Sequence, residues 1–385
     1  MGQILTTHVG SLIRPPELVA FLHAREEGQE YDEAAFEACL RESVAEVVRR
    51  QAEVGIDIVS DGEFGKTMSW SRYIRERIAG FEARPADPGA VGQSVLPGTD
   101  KREFPEFYAE YEQTQGFTGA LTNWVCTGPI SYTGLDALQR DIEDLKAAVA
   151  AVDVTDGFLP VVAPASVVPL RNDEFYDSEE DFVFAVADAL NVEYRAIVDA
   201  GLMVQIDDAY LATMFDTMVP PASMAEYRDW AELRIEALIR ALDGIPEEKA
   251  RYHVCWGSWN APHVGDVALA DIADLILRVP AGGYAIEQAN PRHEHEWRVW
   301  EDVKLPEGRK LLPGVISHVT NVVEHPELVS ERIVRLAALV GPENVIASTD
   351  CGFAQGPFVQ RVHPSIQWAK LKALGDGAKL ASERV

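Results

Sequence analysis

The feature that most limits the fold of this chain is the alternation of short apolar segments with longer amphipathic ones. Residues 32–53 carry apolar side chains at helical spacing, with Asp32 as an N-cap and Gly55 as a terminator, and an apolar strand follows. Apolar strands that alternate with helices predict a parallel sheet covered on both faces. The predicted helices are residues 32–53, 135–152, 178–200, 223–243, 268–278 and 326–341. The predicted strands open at residue 3 and at residues 56, 123, 158, 202, 252, 284, 311 and 345.

This pattern predicts an α/β fold, a (β/α)8 TIM barrel that forms a single domain over residues 1–385. Nine candidate strands compete for eight places, so one of them, with the first as the leading candidate, is expected outside the barrel. An irregular insertion is predicted around residues 82–118, which are rich in Pro, Gly, Glu and aromatic side chains. A loop of this length is usually a lid or an excursion over a site.

The charge balance excludes several classes of partner. The chain has 385 residues and a formal net charge of −28, which would repel the phosphates of nucleic acids and anionic membrane surfaces. No apolar run reaches the roughly 18 residues of a membrane helix, and the first residues lack a leader pattern. We therefore expect a cytoplasmic protein with small-molecule partners, and the sequence leaves its oligomeric state open.

Four potential metal ligands stand at the ends of three predicted strands. His253 and Cys255 are two residues apart on one strand and so point to the same side, while Glu287 and Cys351 end two other strands. The carboxyl ends of barrel strands meet at one face, so these side chains are expected to converge. One imidazole, two thiolates and one carboxylate suit tetrahedral zinc. The alternative is a set of packed thiols beside a satisfied histidine.

The other two cysteines are expected in the core. Cys39 lies in the helical pattern of residues 32–53, and Cys126 lies inside an apolar strand. Four scattered cysteines are too few to hold a chain of this size together through disulfides.

Seven short motifs, in order, resemble the catalytic barrel of the cobalamin-independent methionine synthase family. This resemblance covers nearly the whole chain and implies the superfamily shared with uroporphyrinogen decarboxylase. The motifs are Thr7-His-Val-Gly-Ser11, Asp61-Gly-Glu63, Val204-Gln-Ile-Asp207, His253-Val-Cys255, Ile286-Glu287, Ile316-Ser-His318 and Thr349-Asp-Cys-Gly352.

The resemblance implies a role for each matched residue. It makes His253, Cys255, Glu287 and Cys351 the ligands of a zinc ion. It places Ser11, Glu63 and Asp207 against the amino-acid part of homocysteine, with Asp207 also in the catalytic set. It makes His318 the group that handles a proton near the methyl donor. The zinc would hold a thiolate that attacks the alkyl donor.

Several of these residues also have simpler interpretations. One of the adjacent pair Asp207 and Asp208 is expected to cap the next helix, because the two side chains point to opposite faces of a strand. In the simpler interpretation of the other two residues, Ser11 caps a turn and Glu63 is a solvated acid in a loop. Arg292, after the strand of Glu287, is predicted to meet an anionic substrate group. The nearby His293 and His295 are predicted not to bind a second metal.

Three activities stay open at this stage. The first is methyl transfer from a methylfolate to homocysteine, as in 5-methyltetrahydropteroyltriglutamate–homocysteine S-methyltransferase. The second is epoxide opening, because the run Asp61-Gly-Glu-Phe-Gly-Lys66 also resembles epoxyalkane:coenzyme M transferases. The third is a decarboxylase-like or non-catalytic member of the superfamily that binds a ligand.

Overall fold

Eight short apolar segments pair in parallel to form the central sheet. In the computed structural model, which describes residues 2–85, 98–114 and 122–385, these strands are almost entirely buried. Segments such as Asp156–Val162 are rich in β-branched and apolar side chains, which pack well on both faces of a pleated sheet. Four further strands, β3, β4, β11 and β12, lie outside this sheet. In chain order, the strands of the described residues are β1 (Leu5–Thr6), β2 (Ile58–Ser60), β3 (Ile78–Pro85), β4 (Thr122–Tyr132), β5 (Asp156–Val162), β6 (Met203–Asp208), β7 (Ala250–Val254), β8 (Gly283–Ile286), β9 (Lys310–Ile316), β10 (Ile346–Thr349), β11 (Ala354–Gly356) and β12 (Val359–Gln360).

The sheet is nearly closed on itself. Its strand order is β1-β10-β9-β8-β7-β6-β5-β2, with parallel pairing between neighbours. Its two end strands meet where the Asp57 N–H donates to the Thr6 carbonyl at 3.1 Å and the Thr7 hydroxyl donates to the Ile58 carbonyl at 2.9 Å. The predicted α/β TIM barrel is confirmed.

Helices surround the barrel and follow the predicted rhythm. The predicted N-cap Asp32 accepts a hydrogen bond from the Ala35 N–H at 3.2 Å, and Ser223 and Glu226 form a capping box at a later helix. No helix in the described ranges is long and apolar enough to cross a membrane. The helices are α1 (Pro16–Glu26), α2 (Glu33–Glu53), α3 (Gly98–Glu103), α4 (Pro105–Thr114), α5 (Leu135–Ala150), α6 (Pro164–Val167), α7 (Glu179–Asp199), α8 (Tyr210–Met218), α9 (Met224–Ala241), α10 (Leu269–Arg278), α11 (Val299–Asp302), α12 (Pro326–Val340) and α13 (Pro364–Ser382).

The strand that lies outside the barrel is not the first one. β1 pairs with β10 and is part of the barrel, whereas β4 pairs antiparallel with β3 in a separate two-stranded ribbon. The expectation for the first strand was therefore wrong. An apolar run does not distinguish a parallel from an antiparallel partner, and β4, unlike the barrel strands, leaves Asn123 and Pro129 exposed.

The predicted insertion is more regular than its composition suggested. Within residues 82–118, the described part contains the end of β3 and the helices α3 and α4, and residues 86–97 and 115–118 lie outside the described ranges. Both helices begin at a glycine or a proline, Gly98 and Pro105, and residues of these types had been interpreted as part of a loop. A second short ribbon, β11 with β12, follows the last barrel strand and was not predicted.

A buried ionic cluster fastens the β3–β4 ribbon to the barrel wall. The Arg77 guanidinium donates to Glu193 of α7 at 3.1 Å and also to Asp141 of α5. Two tyrosine hydroxyls, from Tyr73 and from Tyr132 of β4, donate to the same Glu193 carboxylate at 3.0 and 3.1 Å. Because all of these groups are largely shielded from water, the cluster depends on every partner being present.

We predict that Arg77→Met lowers the free energy of unfolding by about 3–5 kcal/mol, because it leaves the buried Glu193 without a cation and Asp141 with only Arg140, whose Nε lies 3.8 Å away. The matched control is Arg84→Met on the same ribbon, where Arg84 is 40% exposed and pairs with Glu174 at 2.8 Å. The control should lose only about 0–1 kcal/mol. Urea unfolding at pH 7 measures both, and equal losses would contradict the structural role of the cluster.

Candidate functional site

The candidate site lies at the carboxyl ends of the barrel strands. His253 is on β7, and Cys255 comes directly after that strand. Glu287 follows the last residue of β8, and Cys351 stands two residues beyond β10. All four side chains are buried, and parallel pairing brings their strand ends to one face of the barrel.

Three of these side chains form one compact group of potential ligand atoms. The atoms offered by His253, Cys255 and Cys351 lie within 4.8 Å of one another, and the two sulfurs are 3.6 Å apart. The His253 Nδ1 lies 3.2 Å from the Ala285 carbonyl, while its Nε2 is buried without a hydrogen-bond partner in the described structure. A ring fixed through one nitrogen with the other nitrogen free is the arrangement expected of a histidine ligand. The group can therefore hold a metal ion.

The fourth predicted ligand, Glu287, lies beside this group but is not part of it. Its Oε1 accepts from the Trp256 N–H at 3.1 Å, and its Oε2 accepts from the Asn290 amide at 3.0 Å. Burial raises the pKa of this carboxyl group. The carboxylate is thus held next to the group by two hydrogen bonds, and its role as a ligand stays a prediction.

A cavity of about 630 Å³ opens onto the ligand group. Its wall includes the three candidate ligands and also Ser11, Glu63 and Asp207, which the resemblance implied for substrate binding. The structure thus brings six of the nine predicted site residues to one cavity. Residues from the strand ends, from the loop after β2 and from the β11–β12 ribbon all contribute to it.

The loop after β2 is shaped to present Glu63. Gly62 and Glu63 both have left-handed backbone conformations, with φ of 68° and 63°, and such a conformation costs a non-glycine residue about 1–3 kcal/mol. The Asp61 carboxylate accepts from the Glu63 N–H at 2.9 Å, and the Arg14 guanidinium donates to the carbonyls of Glu63 and Lys66. Strain that is held by buried hydrogen bonds is typical of functional positions.

Two buried carboxyl groups of this cavity, Glu63 and Asp207, are harder to ionise than usual. Burial raises the pKa of Asp207 well above its usual value, and the nearby Glu63 raises it further. Burial also raises the pKa of Glu63, although Lys66, with its Nζ 3.5 Å from the Glu63 Oε1, works in the opposite direction. Arg14 also lowers the pKa of Glu63, and Lys66 and Arg251 lower that of Asp207, but burial remains the largest effect on both groups.

Two further predicted site residues, His318 and Arg292, do not line the cavity. His318 follows β9, is fully buried, and has no hydrogen-bond partner for either ring nitrogen in the described structure. Burial lowers its pKa well below the usual range, so the ring is neutral at pH 7. Arg292 is exposed and donates to the Val264 carbonyl at 2.9 Å. Asp208 accepts from the Leu211 N–H at 3.1 Å, so one of the aspartate pair binds the first turn of α8 as predicted, although the N-cap residue itself is Ala209.

A buried chain of histidines and carboxylates beside the site was not predicted. The Asp266 carboxylate accepts from His263 at 3.0 Å and from His293 at 2.8 Å, and His293 also bonds Glu296 at 2.8 Å. Both ring nitrogens of His293 are thus directed at carboxylates, and neither is available to share a metal with the exposed His295. The spacing of three residues within each His–acid pair was a signal that sequence reasoning passed over.

The insertion holds the loop that carries Cys255. Asp100 of α3 is fully buried, and its carboxylate accepts hydrogen bonds from the backbone N–H groups of His263, Val264 and Gly265 at 2.6, 2.8 and 3.2 Å. This loop leads from Cys255 through Trp259, which lines the cavity. The insertion therefore acts as an anchor for the site, and no local sequence signal indicated Asp100.

Comparison with known proteins is consistent with this geometry. Residues 162–369, more than half of the chain, match the family described as "Cobalamin-independent synthase, Catalytic domain". The chain is 25% identical to the 2-hydroxypropyl-CoM lyase of Xanthobacter autotrophicus over 91% of this chain and 88% of that protein. It is 24% identical to the methionine synthase of Thermococcus kodakarensis over 90% and 86% of the two chains.

The solved structures support the fold. The B12-independent methionine synthase from Shewanella, in complex with selenomethionine, superposes with a TM-score of 0.70 at 18% identity. The alignment covers 100% of this chain and 99% of that one. At this identity the similarity establishes a shared architecture.

The His293 cluster makes protein stability depend on pH in a defined direction. Burial opposes the charged ring, but hydrogen bonds to Asp266 and Glu296 outweigh it and raise the pKa of His293 to about 10. The charged ring therefore contributes fully to the free energy of unfolding below the unfolded-state pKa of about 6.5, and this contribution is lost as the pH rises to about 10.

We predict that His293→Gln reduces the decline in unfolding free energy between pH 7 and 10, measured by urea unfolding. The exposed neighbour provides the control His295→Gln, which should keep the wild-type decline; an unchanged decline in His293→Gln would contradict the charged cluster.

Proposed function

The chain belongs to the family of cobalamin-independent synthase catalytic domains, and on that premise we propose that it is a zinc-dependent enzyme that transfers an alkyl group to a thiol. The first candidate is methyl transfer from a methylfolate to homocysteine. The observation that carries this choice is the pair of buried carboxyl groups, Glu63 and Asp207, in the cavity wall beside the ligand group.

The donor set favours zinc as the metal. Two cysteine sulfurs and one imidazole nitrogen suit this borderline-soft ion better than magnesium or calcium, which prefer oxygen ligands. When bound, zinc would keep a substrate thiol as a nucleophilic thiolate at neutral pH. Glu287 is proposed as a fourth ligand that would yield its place to the substrate sulfur.

The cavity wall suits an amino-acid thiol. A substrate ammonium group near Glu63 and Asp207 would stabilise the ionised form of both carboxylates, which burial and mutual repulsion now oppose. The Ser11 hydroxyl is buried without a partner among the described residues, so it is free to donate to the substrate carboxylate. Homocysteine carries both of these groups.

The remaining roles complete the proposed reaction. A carbon–sulfur bond forms as the bond from that carbon to its donor atom breaks, and the released electron pair on the donor atom takes up a proton. His318 is proposed as the relay for this proton: its neutral ring would take up the proton that the substrate thiol releases and pass it on, as imidazolium, to the donor atom. Asp207 would orient the acceptor, and Arg292 would meet an anionic part of the donor from its loop after β8.

Epoxide opening by coenzyme M is the second candidate. It is favoured by the similarity to a protein named 2-hydroxypropyl-CoM lyase over 91% of this chain. The same thiolate would attack a ring carbon, the bond from that carbon to the ring oxygen would break, and the resulting alkoxide, which stays attached to the product, would be protonated. Coenzyme M has no ammonium group for the Glu63 and Asp207 carboxylates, and this places it second. A decarboxylase-like or purely ligand-binding role is third, because it leaves the paired thiols unexplained.

We further propose that residues 1–385 act as one domain with a cytoplasmic location. The barrel strands are spread from Leu5 to Thr349, so neither half of the chain closes the barrel by itself. The partners proposed are small molecules, with no nucleic acid and no membrane, because the formal net charge of −28 would repel anionic surfaces.

The metal assignment predicts one zinc per chain. Cys255→Ser and Cys351→Ser should each lose most of it, because a neutral hydroxyl replaces thiolate poorly. The control is Cys39→Ser, at a half-buried position on α2, which should keep the metal. The zinc content per chain is measured by elemental analysis after removal of loosely held ions. Well under one equivalent in the wild type, or full zinc in both site variants, would contradict the assignment.

The choice of substrate predicts that methionine forms from homocysteine and methyltetrahydrofolate. The proposed acceptor site also predicts the effect of a substitution. Glu63→Gln should raise the KM for homocysteine about tenfold or more, since it removes one of the two charges that would face the ammonium group. Methionine is measured directly after incubation with the mono- and polyglutamyl donors. Turnover of a short epoxide with coenzyme M, and no methionine, would move the assignment to the second candidate.

A further inference from the structure

Two arginines stand side by side at the rim of the main cavity. Arg72 and Arg75 are three residues apart on the 3-10 helix Arg72–Glu76. In this type of helix the side chains of residues i and i+3 are eclipsed, so the two guanidinium groups project from the same side. Arg72 lines the main cavity, which also contains the candidate metal ligands.

Neither arginine has a counter-ion among the residues that the structure describes. No carboxylate of the described residues lies within 4.0 Å of either guanidinium, although the chain has 62 acidic and only 34 basic residues. The nearest acid in sequence, Glu76, is bound instead by Arg25 at 3.4 Å and by the Thr67 hydroxyl at 2.7 Å. Partial burial and the adjacent Arg72 lower the pKa of Arg75 to about 10. Two like charges held together without an anion indicate a site that an anion would stabilise.

A small side pocket of about 60 Å³ adjoins the main cavity at this point. Ser71, Arg72 and Tyr210 line both spaces, and Arg75 lines the side pocket. The Arg75 guanidinium also lies over the Trp124 ring, 4.9 Å from its centroid, which orients the group. None of the candidate metal ligands lines the side pocket. An anion at the shared wall would therefore belong to a part of the substrate that is remote from the reacting atom.

We propose that Arg72 and Arg75, together with the Tyr210 hydroxyl, form a subsite for the acidic end of a substrate whose reacting atom lies at the His253–Cys255–Cys351 group. The placing of the reacting atom at this group rests on the proposed function. The planar guanidinium groups suit a carboxylate, which they can grip through two parallel hydrogen bonds, and a sulfonate presents the same oxyanion chemistry. The subsite would add binding energy far from the chemistry and would select substrates with an acidic end.

The test is equilibrium binding of glutarate and, separately, of ethanesulfonate to the metal-loaded protein, followed by tryptophan fluorescence. We expect saturable binding that weakens about tenfold in both Arg72→Gln and Arg75→Gln and weakens further as salt is added. The matched control Arg195→Gln removes an exposed arginine of α7 that lines neither cavity and should bind as the wild type does. Trp124→Phe should remove most of the fluorescence change while leaving the affinity measured by calorimetry in place.

The two probes separate the possible sources of the anion. Tighter binding of glutarate supports a carboxylate-ended substrate, and tighter binding of ethanesulfonate with the same arginine dependence supports a sulfonate-ended one. Absence of binding by both probes, or equal binding in the wild type and both arginine variants, would overturn the subsite. Because this measurement needs no turnover, its failure is distinct from a failure of the alkyl-transfer proposal.

Discussion

The burial of ionisable side chains at the carboxyl ends of the strands is the constraint on which the rest of the site depends. A buried carboxylate loses its hydration and becomes harder to ionise unless hydrogen bonds or cations replace the water. Burial raises the pKa of Asp61 to about 7 and that of Asp350 to about 8. Both groups still accept backbone hydrogen bonds, Asp61 from Glu63 at 2.9 Å and Asp350 from Gln288 and Ala289 at 2.8 Å. The loops after the strands take their shape from these bonds.

The electrostatic consequences differ between the wall of the barrel and its mouth. In the wall, Arg77 neutralises two acids, and the cluster is complete without any ligand. In the cavity, Lys66, Arg14 and Arg251 act on Glu63 and Asp207 without overcoming the effect of burial, and at the rim Arg72 and Arg75 have no counter-ion in the described part of the chain. Buried carboxyl groups in one part of the cavity and arginines at its rim suit an elongated substrate with a cationic group at one end and an anionic group at the other, or two substrates that each supply one charge.

Much of the fold followed from sequence because local patterns and tertiary structure agree here. The apolar runs at residues 158–164 and 202–208 became β5 and β6, and the N-cap at Asp32 formed as expected. The exception was residues 123–129, whose apolar character is equally compatible with a ribbon outside the barrel. The two helices of the insertion also escaped notice, because the many prolines and glycines nearby outweighed their short helical patterns.

The candidate site divides in a similar way. His253, Cys255 and Cys351 could be placed together because strand alternation and barrel topology fix where strand ends go. Asp100 and the pair of Arg72 and Arg75 could not, because their positions depend on how separate loops pack over the barrel. Loop packing follows from contacts between residues far apart in sequence, such as Asp100 with His263, and these leave no periodic trace in the chain.

The segment after β10 divides a fixed part from a variable part. Directly beyond Cys351, the Phe353 N–H donates to the Ser11 carbonyl at 2.8 Å, and a Cβ added at Gly352 would lie 2.7 Å from the Ser11 Cβ, so the chain is tightly held there. The β11–β12 ribbon then carries Phe358 to the mouth of the cavity. The entrance of the cavity can therefore change in shape without moving Cys351, and on the proposed function this would let the same metal site serve different alkyl donors.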